Sequence, residues 1–406
     1  MLLPDPRATM HQEGLRTVFD RLISKTHVEH ALIQPGGHHN DIPTSLATVF
    51  LLGGTPAQLQ AVYDQKRRCL QSWHLSPERI LSSDEKTKYL GDYQFQRAYM
   101  DYFSMENGKL GGNSTVLGLS HLIYAPKPLV YGLFGGYGRP LLFLSDGIEV
   151  QSAVLVVESL VLAAVDWSTP IEELLSHAQW QTLPDELLPP ETILTRIAYD
   201  GRFSGIMKGG PGFGGVSQVL SNQGARSAVV DYVHQLDLRD TTKLLRQLSR
   251  LSILLVCATH KKDKPAFDYF LSSLPTFVNC LRVLLYSFQG SQKSIILVRG
   301  VWTLMVLAYI TQLRPVIDRS LILLEVPDKG LTWDGILSHF RQGADPEDEK
   351  LMDCQLLRTL RSLRELGESC GGEEQLYMQA AWKLRCQWQK WAGLGCGREE
   401  VLNIRL

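Results

Sequence analysis

Two histidines and an aspartate lie together near the N-terminus, in the segment His38-His39-Asn40-Asp41. Imidazole nitrogens and a carboxylate oxygen are the ligands of iron sites built from two histidines and one carboxylate. His39 and Asp41 would supply one imidazole and the carboxylate of such a site, so a third ligand is needed from elsewhere in the chain, and the candidates are His121, His234 and His260. The alternatives are that His38 and His39 cap the helix that follows, and that the other three are hydrogen-bonded structural residues.

The chain after this cluster has the pattern of two helices joined by a glycine turn. An apolar run at 46–52 and a glycine pair are followed by Thr55-Pro56 and, two residues later, by Gln58. Threonine is a favoured N-cap residue, proline suits the first helical position, and glutamine at the third position completes a capping box. The pattern therefore predicts a helix that begins at Pro56.

Helical spacing of apolar residues continues along most of the chain, and strict alternation is hardly seen. The predicted helices are 16–31, 89–103, 150–165, 241–256, 274–288, 295–311, 351–366 and 375–392, with a short one at 334–340. Loops are predicted at 105–118, 181–191 and 208–215. The glycine-rich stretches 132–138 and 208–215 lack the order of a dinucleotide or P-loop motif. These patterns predict a mainly α fold, a multi-helix bundle.

Composition excludes several classes of function. The chain has 406 residues, a formal net charge of −1 and 44% hydrophobic residues, with no basic block, which argues against nucleic acid as a partner. Prolines and acidic residues occupy the N-terminus, and charges interrupt the apolar stretches at 141–165 and 295–310, so neither a signal peptide nor a membrane segment is expected. Seven cysteines without a CxxC pair favour a reducing, cytoplasmic location.

Several blocks resemble the questin oxidase-like family in their order along the chain. The first is the segment at 37–64, with its histidine–asparagine loop, glycine turn and Thr55-Pro56 helix start. The others are Tyr137–Val150, Asp200–Phe203, Asp268–Leu271, Asp353–Leu363 and Trp391–Val401. The resemblance covers nearly the whole chain. It implies a single helical domain over residues 1–406, in which the blocks surround a central cavity.

The resemblance also implies an activity. Members of the family are associated with oxidative ring cleavage of anthraquinones and related polyketides, so it implies an oxidoreductase that uses molecular oxygen on a small aromatic or polyketide-like ligand. Iron and NADPH are the cofactors that the resemblance, and nothing else in the sequence, suggests.

The matched histidine positions are mostly changed in this chain. Arg139 and Phe143 stand for two family histidines, Ser273 for a third and Gln355 for a fourth. Arginine does not ligate a cation, and phenylalanine has no lone pair to donate. The resemblance therefore implies a degenerate metal site, with these positions as candidate catalytic or substrate-binding residues.

Four further candidates complete this set. His39 keeps one family histidine position, Asp41 replaces another, Glu149 is retained, and Arg358 is the best match to a family lysine. His39 and Asp41 are the remaining candidate metal ligands. For Glu149 the alternative is a carboxylate at the start of the next helix, stabilised by the helix dipole.

Aromatic residues are candidates for the walls of a substrate pocket. Tyr99, Tyr102 and Phe143 are the predicted contacts, although an aromatic stripe at helical spacing is more often part of a core.

Two hypotheses follow from these residues. In the first, the protein is an oxidoreductase acting on a flat aromatic polyketide. In the second, redox chemistry has been lost, and the protein binds or rearranges a hydrophobic aromatic ligand or serves as a scaffold. The side chains at the changed positions would then form a donor-rich cavity for a phenolate or carboxylate. Against this cavity stands the alternative that Arg358 pairs with Asp353 or Glu365 on the surface.

Overall fold

The computed structural model describes residues 6–74, 79, 85–109, 116–124, 128–182, 184–212, 214–288, 290–322, 330–341, 352–370 and 373–393. The chain divides into two compact units. Unit 1 comprises residues 1–168 and 337–358, and unit 2 comprises residues 169–336 and 359–406. The organisation as one domain over residues 1–406 stays a prediction.

The described chain is almost entirely helical, which confirms the mainly α prediction. The helices that begin in unit 1 are α1 (Pro6–Glu29), α2 (Ile42–Leu51), α3 (Pro56–Lys66), α4 (Gln96–Lys109), α5 (Val116–Tyr124), α6 (Arg139–Glu149), α7 (Ala153–Val165) and α16 (Cys354–Cys370). Those that begin in unit 2 are α8 (Thr169–Leu175), α9 (Pro190–Tyr199), α10 (Gly215–Ser221), α11 (Gln223–His234), α12 (Thr241–Cys257), α13 (Leu274–Ser287), α14 (Ser291–Thr311), α15 (Trp333–Arg341) and α17 (Glu374–Gln387).

The predicted start of α3 is confirmed in detail. The Thr55 hydroxyl accepts from the Gln58 amide at 3.2 Å, and the Gln58 side-chain oxygen accepts from the Thr55 amide at 2.7 Å. These two bonds satisfy donors that a helix start leaves unpaired. The Gln58 side chain also donates to the carbonyl of Phe340. The capping box therefore both begins α3 and ties it to a distant part of unit 1.

Several predicted boundaries are wrong, among them those of α4 and α7. α4 continues to Lys109, so the loop predicted from residue 105 begins too early. Glu149 is the last residue of α6, and Ser152 caps α7 by accepting from the Leu155 amide. Glu149 therefore does not stabilise the start of a helix, because it lies at the opposite, negative end of the dipole of α6.

The glycine-rich segment 132–138 packs against the end of α7. A Cβ atom on Gly132 would lie 1.9 Å from the carbonyl oxygen of Ala163, and one on Gly135 would lie 2.0 Å from that of Asp166. Tyr137 has a left-handed φ of 57°, which directs the chain into the first residue of α6, Arg139. These glycines thus have a packing role: they bring the segment before Arg139 onto Asp166.

In unit 2 a two-residue strand pair joins two of the blocks that carry the family resemblance. β1 (Phe267–Asp268) pairs in parallel with β2 (Trp391–Ala392). The buried Asp268 carboxylate accepts from the amides of Phe270 and Leu271. The Gln312 side-chain amide is oriented with its nitrogen toward Asp268, and this nitrogen donates to the carboxylate at 2.8 Å. These blocks therefore build structure in unit 2; residues 394–401 of the last block lie outside the described residues.

One described helix is long and apolar enough to cross a membrane by length and composition, at Gln292–Thr311 within α14. Of the apolar 18-residue part of that stretch, 78% is buried inside the protein. The core helix of a globular protein passes the same test, and burial of this degree matches a core helix of unit 2.

Candidate functional site

His39 forms a short contact with a carboxylate from a distant helix. Its Nε2 lies 2.7 Å from Oδ2 of Asp166, directly after the end of α7. His39 is held by a β-bridge to Ile33, and its side chain is 16% exposed while that of Asp166 is 11% exposed. We assign the Nε2–H tautomer, because a carboxylate accepts a proton donor; the lone pair then lies on Nδ1. A half-buried imidazole oriented in this way is a candidate general base.

The predicted capping role of the two histidines is wrong. The N-cap residue of α2 is Asp41, and its side chain makes no capping hydrogen bond. The Ile42 amide instead donates to the side-chain oxygen of Asn40 at 3.1 Å. His39 is thus available for its pair with Asp166.

Asp41 is surrounded by cationic side chains. Its Oδ2 accepts from Nζ of Lys66, the last residue of α3, at 2.7 Å. Desolvation by itself raises the pKa of Asp41, but Lys66, Arg139 and Arg358 outweigh it, and the pKa lies below its usual value. Asp41 is therefore ionised at neutral pH and forms the negative centre of a positive cluster.

Arg358 lies on the first turns of α16 and is 3% exposed. Its guanidinium donates to the Gln355 side-chain oxygen at 3.3 Å and to the Thr44 hydroxyl, on α2, at 2.9 Å. The alternative in which Arg358 pairs with an acid at the surface is wrong, because the side chain is buried against α2. The hydrogen bond between them shows that Gln355 and Arg358 lie on the same face of α16.

Cys354, the first residue of α16, adds a thiol to the cluster. Burial raises the pKa of this thiol, even though Lys66 favours the thiolate. Burial also disfavours the charged form of Lys66, but the charge of Asp41 and its hydrogen bond to the amine outweigh burial and raise the pKa of the lysine. The cluster thus contains a neutral thiol and a charged amine.

The base and the cationic cluster share two chain segments. His39 and Asp41 are separated by one residue, and the glycine segment that touches Asp166 leads directly into Arg139. The candidate base therefore lies two residues from Asp41 along the chain, and the last glycine-segment residue that touches Asp166 lies three residues before Arg139. We call the pair His39–Asp166 the dyad, and the group Asp41, Lys66, Arg139 and Arg358 the cationic cluster.

Sequence reasoning found one residue of the dyad and three of the four residues of the cationic cluster. It missed Lys66, Asp166 and the neighbouring Cys354. Lys66 ends a helix whose start was predicted correctly, and Cys354 lies next to the predicted Gln355. Asp166 is 127 residues from His39, and its only local signal was its place at the end of an apolar helix.

The other predicted site residues are not in this group. Ser273 belongs to unit 2, where it precedes α13 and its hydroxyl lies 3.5 Å from the carbonyl of Tyr269. Phe143 is completely buried in α6, and Glu149 ends that helix. Ser273 and Glu149 stay predictions as catalytic residues.

The predicted aromatic contacts lie in the core of unit 1. Tyr99 is completely buried and donates to the carbonyl of Lys86, and Tyr102 packs edge-on against Phe103. Burial in the core raises the pKa of Tyr99 well above its usual value. These contacts give both tyrosines a packing role, and their role as substrate contacts, like that of Phe143, stays a prediction.

The metal implied by the family resemblance does not fit the side chains present. Arg139, Phe143 and Gln355 supply no histidine at the matched positions, and within the described ranges no three His, Cys, Asp or Glu side chains are grouped to hold a metal. Two of the three candidate third ligands are hydrogen-bonded within unit 2 instead. His234 bonds the Gln179 side chain and the Thr182 carbonyl, and His260 bonds the Lys261 carbonyl. His121 is exposed on α5.

Comparison with known proteins identifies the family. The family model described as "Questin oxidase-like" matches residues 38–360. The chain belongs to the questin oxidase-like family. The matched range includes the dyad and the whole cationic cluster.

Curated relatives of the family are similar over part of their length. A Baeyer-Villiger monooxygenase of Cryptosporiopsis sp. is 26% identical over 171 residues, which are 40% of this chain and 38% of the relative. The questin oxidase of Aspergillus terreus is 26% identical over 39% of this chain and 37% of its own. An oxidoreductase of Aspergillus parasiticus is 29% identical over 38% of this chain and 32% of its own. The chain thus spans less than half the length of each relative.

A second buried pair in unit 1, between Glu158 and His27, is expected to make the stability of the protein depend on pH. The carboxylate of Glu158 on α7 is completely buried, and its Oε1 lies 3.0 Å from Nδ1 of His27 on α1. Its Oε2 has no hydrogen-bond partner in the part of the chain that the structure describes. Burial raises the pKa of Glu158 above 4.5, although the bond to His27 acts in the opposite direction.

We expect Glu158→Gln to stabilise the protein increasingly as pH rises. The folded state binds the Glu158 proton more tightly than the unfolded state, so the wild type loses stability as pH rises from the unfolded value through the raised folded pKa. Glutamine carries no proton to lose. Thermal unfolding from about pH 5 to about pH 8 should show a growing advantage of a few degrees, since about 1 kcal/mol shifts Tm by about 2–4 °C. Asp20→Asn, in an exposed pair with Arg16, should show no such trend. A variant less stable than wild type at every pH contradicts this account.

Proposed function

We propose that this protein is an oxidoreductase of the questin oxidase-like family that acts on a phenolic aromatic ligand of the polyketide type. The observation that carries the proposal is the dyad beside the cationic cluster. A phenol is a weak acid, and its ionisation puts negative charge on an oxygen and into the ring. A base to take the proton and cations to hold the anion are the groups that such a ligand requires.

In this proposal His39 takes the phenolic proton on Nδ1. Asp166 orients the imidazole through Nε2–H and stabilises the imidazolium that forms. Arg139, Arg358 and Lys66 then stabilise the phenolate, because their three positive charges exceed the single negative charge of Asp41. The electron-rich phenolate is the form of the ligand that an oxidant attacks most readily.

The names of the relatives support oxidation as the overall reaction. Insertion of one oxygen atom beside a ketone carbonyl by molecular oxygen requires two electrons and two protons, and one water forms. NADPH is the reductant that the family resemblance suggests. The proposal assigns the described residues only to binding of the ligand and transfer of its proton.

The test measures oxygen uptake and loss of a hydroxyanthraquinone with purified protein and NADPH. We expect both to occur in equal amounts, with a product heavier than the ligand by one oxygen atom. A set of hydroxyanthraquinones that bind, as shown by thermal stabilisation, but are never consumed would contradict the redox part of the proposal.

A second function has one observation in its favour. The matched histidine positions carry Arg139, Phe143 and Gln355, none of which replaces a histidine as a metal ligand. A member of the family without redox chemistry would still bind and ionise the phenol, and would rearrange it by acid–base chemistry. Ligand isomerisation without oxygen uptake distinguishes this function from the first.

A further inference from the structure

We infer that the cationic cluster anchors a carboxylate substituent of the ligand, separate from the phenol that meets His39. The substrate class is then a phenolic aromatic carboxylic acid. This inference rests on the proposed function and adds a second point of recognition to it.

The charges of the cluster are the first argument. Lys66, Arg139 and Arg358 each carry one positive charge and Asp41 carries one negative charge, so the four side chains have a net charge of +2. A single phenolate compensates half of this excess. A carboxylate on the same ligand compensates the other half, and its two oxygens match the fork of a guanidinium.

Helix ends are the second argument. Three helices begin at the cluster: α2 after Asp41, α6 at Arg139 and α16 at Cys354. Each N-terminus is equivalent to roughly half a positive charge. The N-cap residues of α2 and α6, Asp41 and Gly138, make no side-chain capping bond. Gly138 thus brings no charge to the N-terminus of α6, and the carboxylate at the N-terminus of α2 is already bonded to Lys66.

A weakly bonded donor is the third argument. The Ser45 hydroxyl, one turn into α2, is completely buried, and the thiol of Cys354 is its hydrogen-bond partner. Sulfur is a weaker hydrogen-bond acceptor than oxygen. An oxygen acceptor bound at the cluster would therefore be a stronger partner for this hydroxyl.

Exposure is compatible with a ligand at this place. Lys66 is 22% exposed and Asp41 is 34% exposed, so the pair between them is reached from solvent. Arg358, by contrast, is buried and fixed by Thr44 and Gln355. The cluster thus has a rigid inner cation and an accessible outer one, as a site for a small anion requires.

The experiment compares a dihydroxyanthraquinone carboxylic acid with its carboxamide, which has the same rings and phenols. We expect the acid to bind wild-type protein about 10- to 100-fold more tightly, the range of a charge-assisted hydrogen bond. Arg139→Gln and Lys66→Met should each reduce this preference severalfold. Arg97→Gln, which removes an exposed cation paired with Asp101 in unit 1, should leave it unchanged.

The outcomes separate this inference from the proposed function. His39→Gln should keep the preference for the acid even though it no longer ionises the phenol. Equal affinity of wild type for acid and amide, or a preference that survives in both Arg139→Gln and Lys66→Met, would overturn the inference. So would inorganic phosphate alone binding as tightly as the aromatic acid, because the cluster would then be a general anion site.

Discussion

Substitution of His39 by glutamine is expected to lower the rate of ligand turnover by about 100- to 10,000-fold, the contribution typical of a positioned general base. Glutamine keeps a polar side chain near Asp166 but has no basic nitrogen. Asp166→Asn should cause a loss in the same range, because an amide neither fixes the tautomer nor stabilises an imidazolium. Stopped-flow or steady-state assays with one hydroxyanthraquinone measure both variants.

The control for these variants is His121→Gln, which removes an exposed imidazole from α5. It should retain wild-type turnover. Because the dyad acts as one unit, the double variant His39→Gln/Asp166→Asn should be no slower than the worse single variant by more than a small factor. If either single variant keeps more than about a tenth of the wild-type rate, His39 is not the base.

The second large effect concerns Gly135. Alanine at this position would put its Cβ within 2.0 Å of the Asp166 carbonyl oxygen, so the backbone that carries Asp166 must move. We expect a loss of about 3 kcal/mol or more, at the upper end of overpacking effects. Turnover should fall as well, since the displaced carboxylate no longer meets His39. Chemical denaturation and the same assay measure the two losses.

Gly108→Ala is the matched control, because Gly108 lies on α4 in the same unit and a Cβ there meets nothing within 4 Å. Its stability should change by less than about 1 kcal/mol, in the direction of stabilisation. If Gly135→Ala is as stable as Gly108→Ala, the glycine segment does not hold Asp166 in place.

Local patterns predicted many of the helices because their determinants are local, but they did not predict α5, α8, α9, α10 or α11. The start of α3 depends on Thr55 and Gln58, which are three residues apart, and both predicted bonds exist. The start of α7, predicted at residue 150, was misplaced for the same reason. The apolar run after Glu149 continues the helical pattern, while the break at Ser152 depends on one capping hydroxyl.

The site was harder to predict because its contacts join distant parts of the chain. Arg358 was weighed against acids of its own helix, whereas its hydroxyl partner, Thr44, is 314 residues away. The family resemblance identified Arg139, Gln355 and Arg358 as members of one site, and the structure of unit 1 brings Arg139 and Arg358 to Asp41. No pattern within the sequence connects Lys66 or Asp166 to that site.

The most direct measurement is the acidity of a bound hydroxyanthraquinone, followed by its absorption, which shifts to longer wavelength when the phenol ionises. The account predicts that wild-type protein lowers the apparent phenol pKa by about one unit or more, equivalent to about 1.4 kcal/mol of preference for the anion. It also predicts that His39→Gln and Arg139→Gln each reduce the shift. A bound ligand that titrates at the same pH as the free compound would contradict the assignment of the dyad and the cationic cluster as the site.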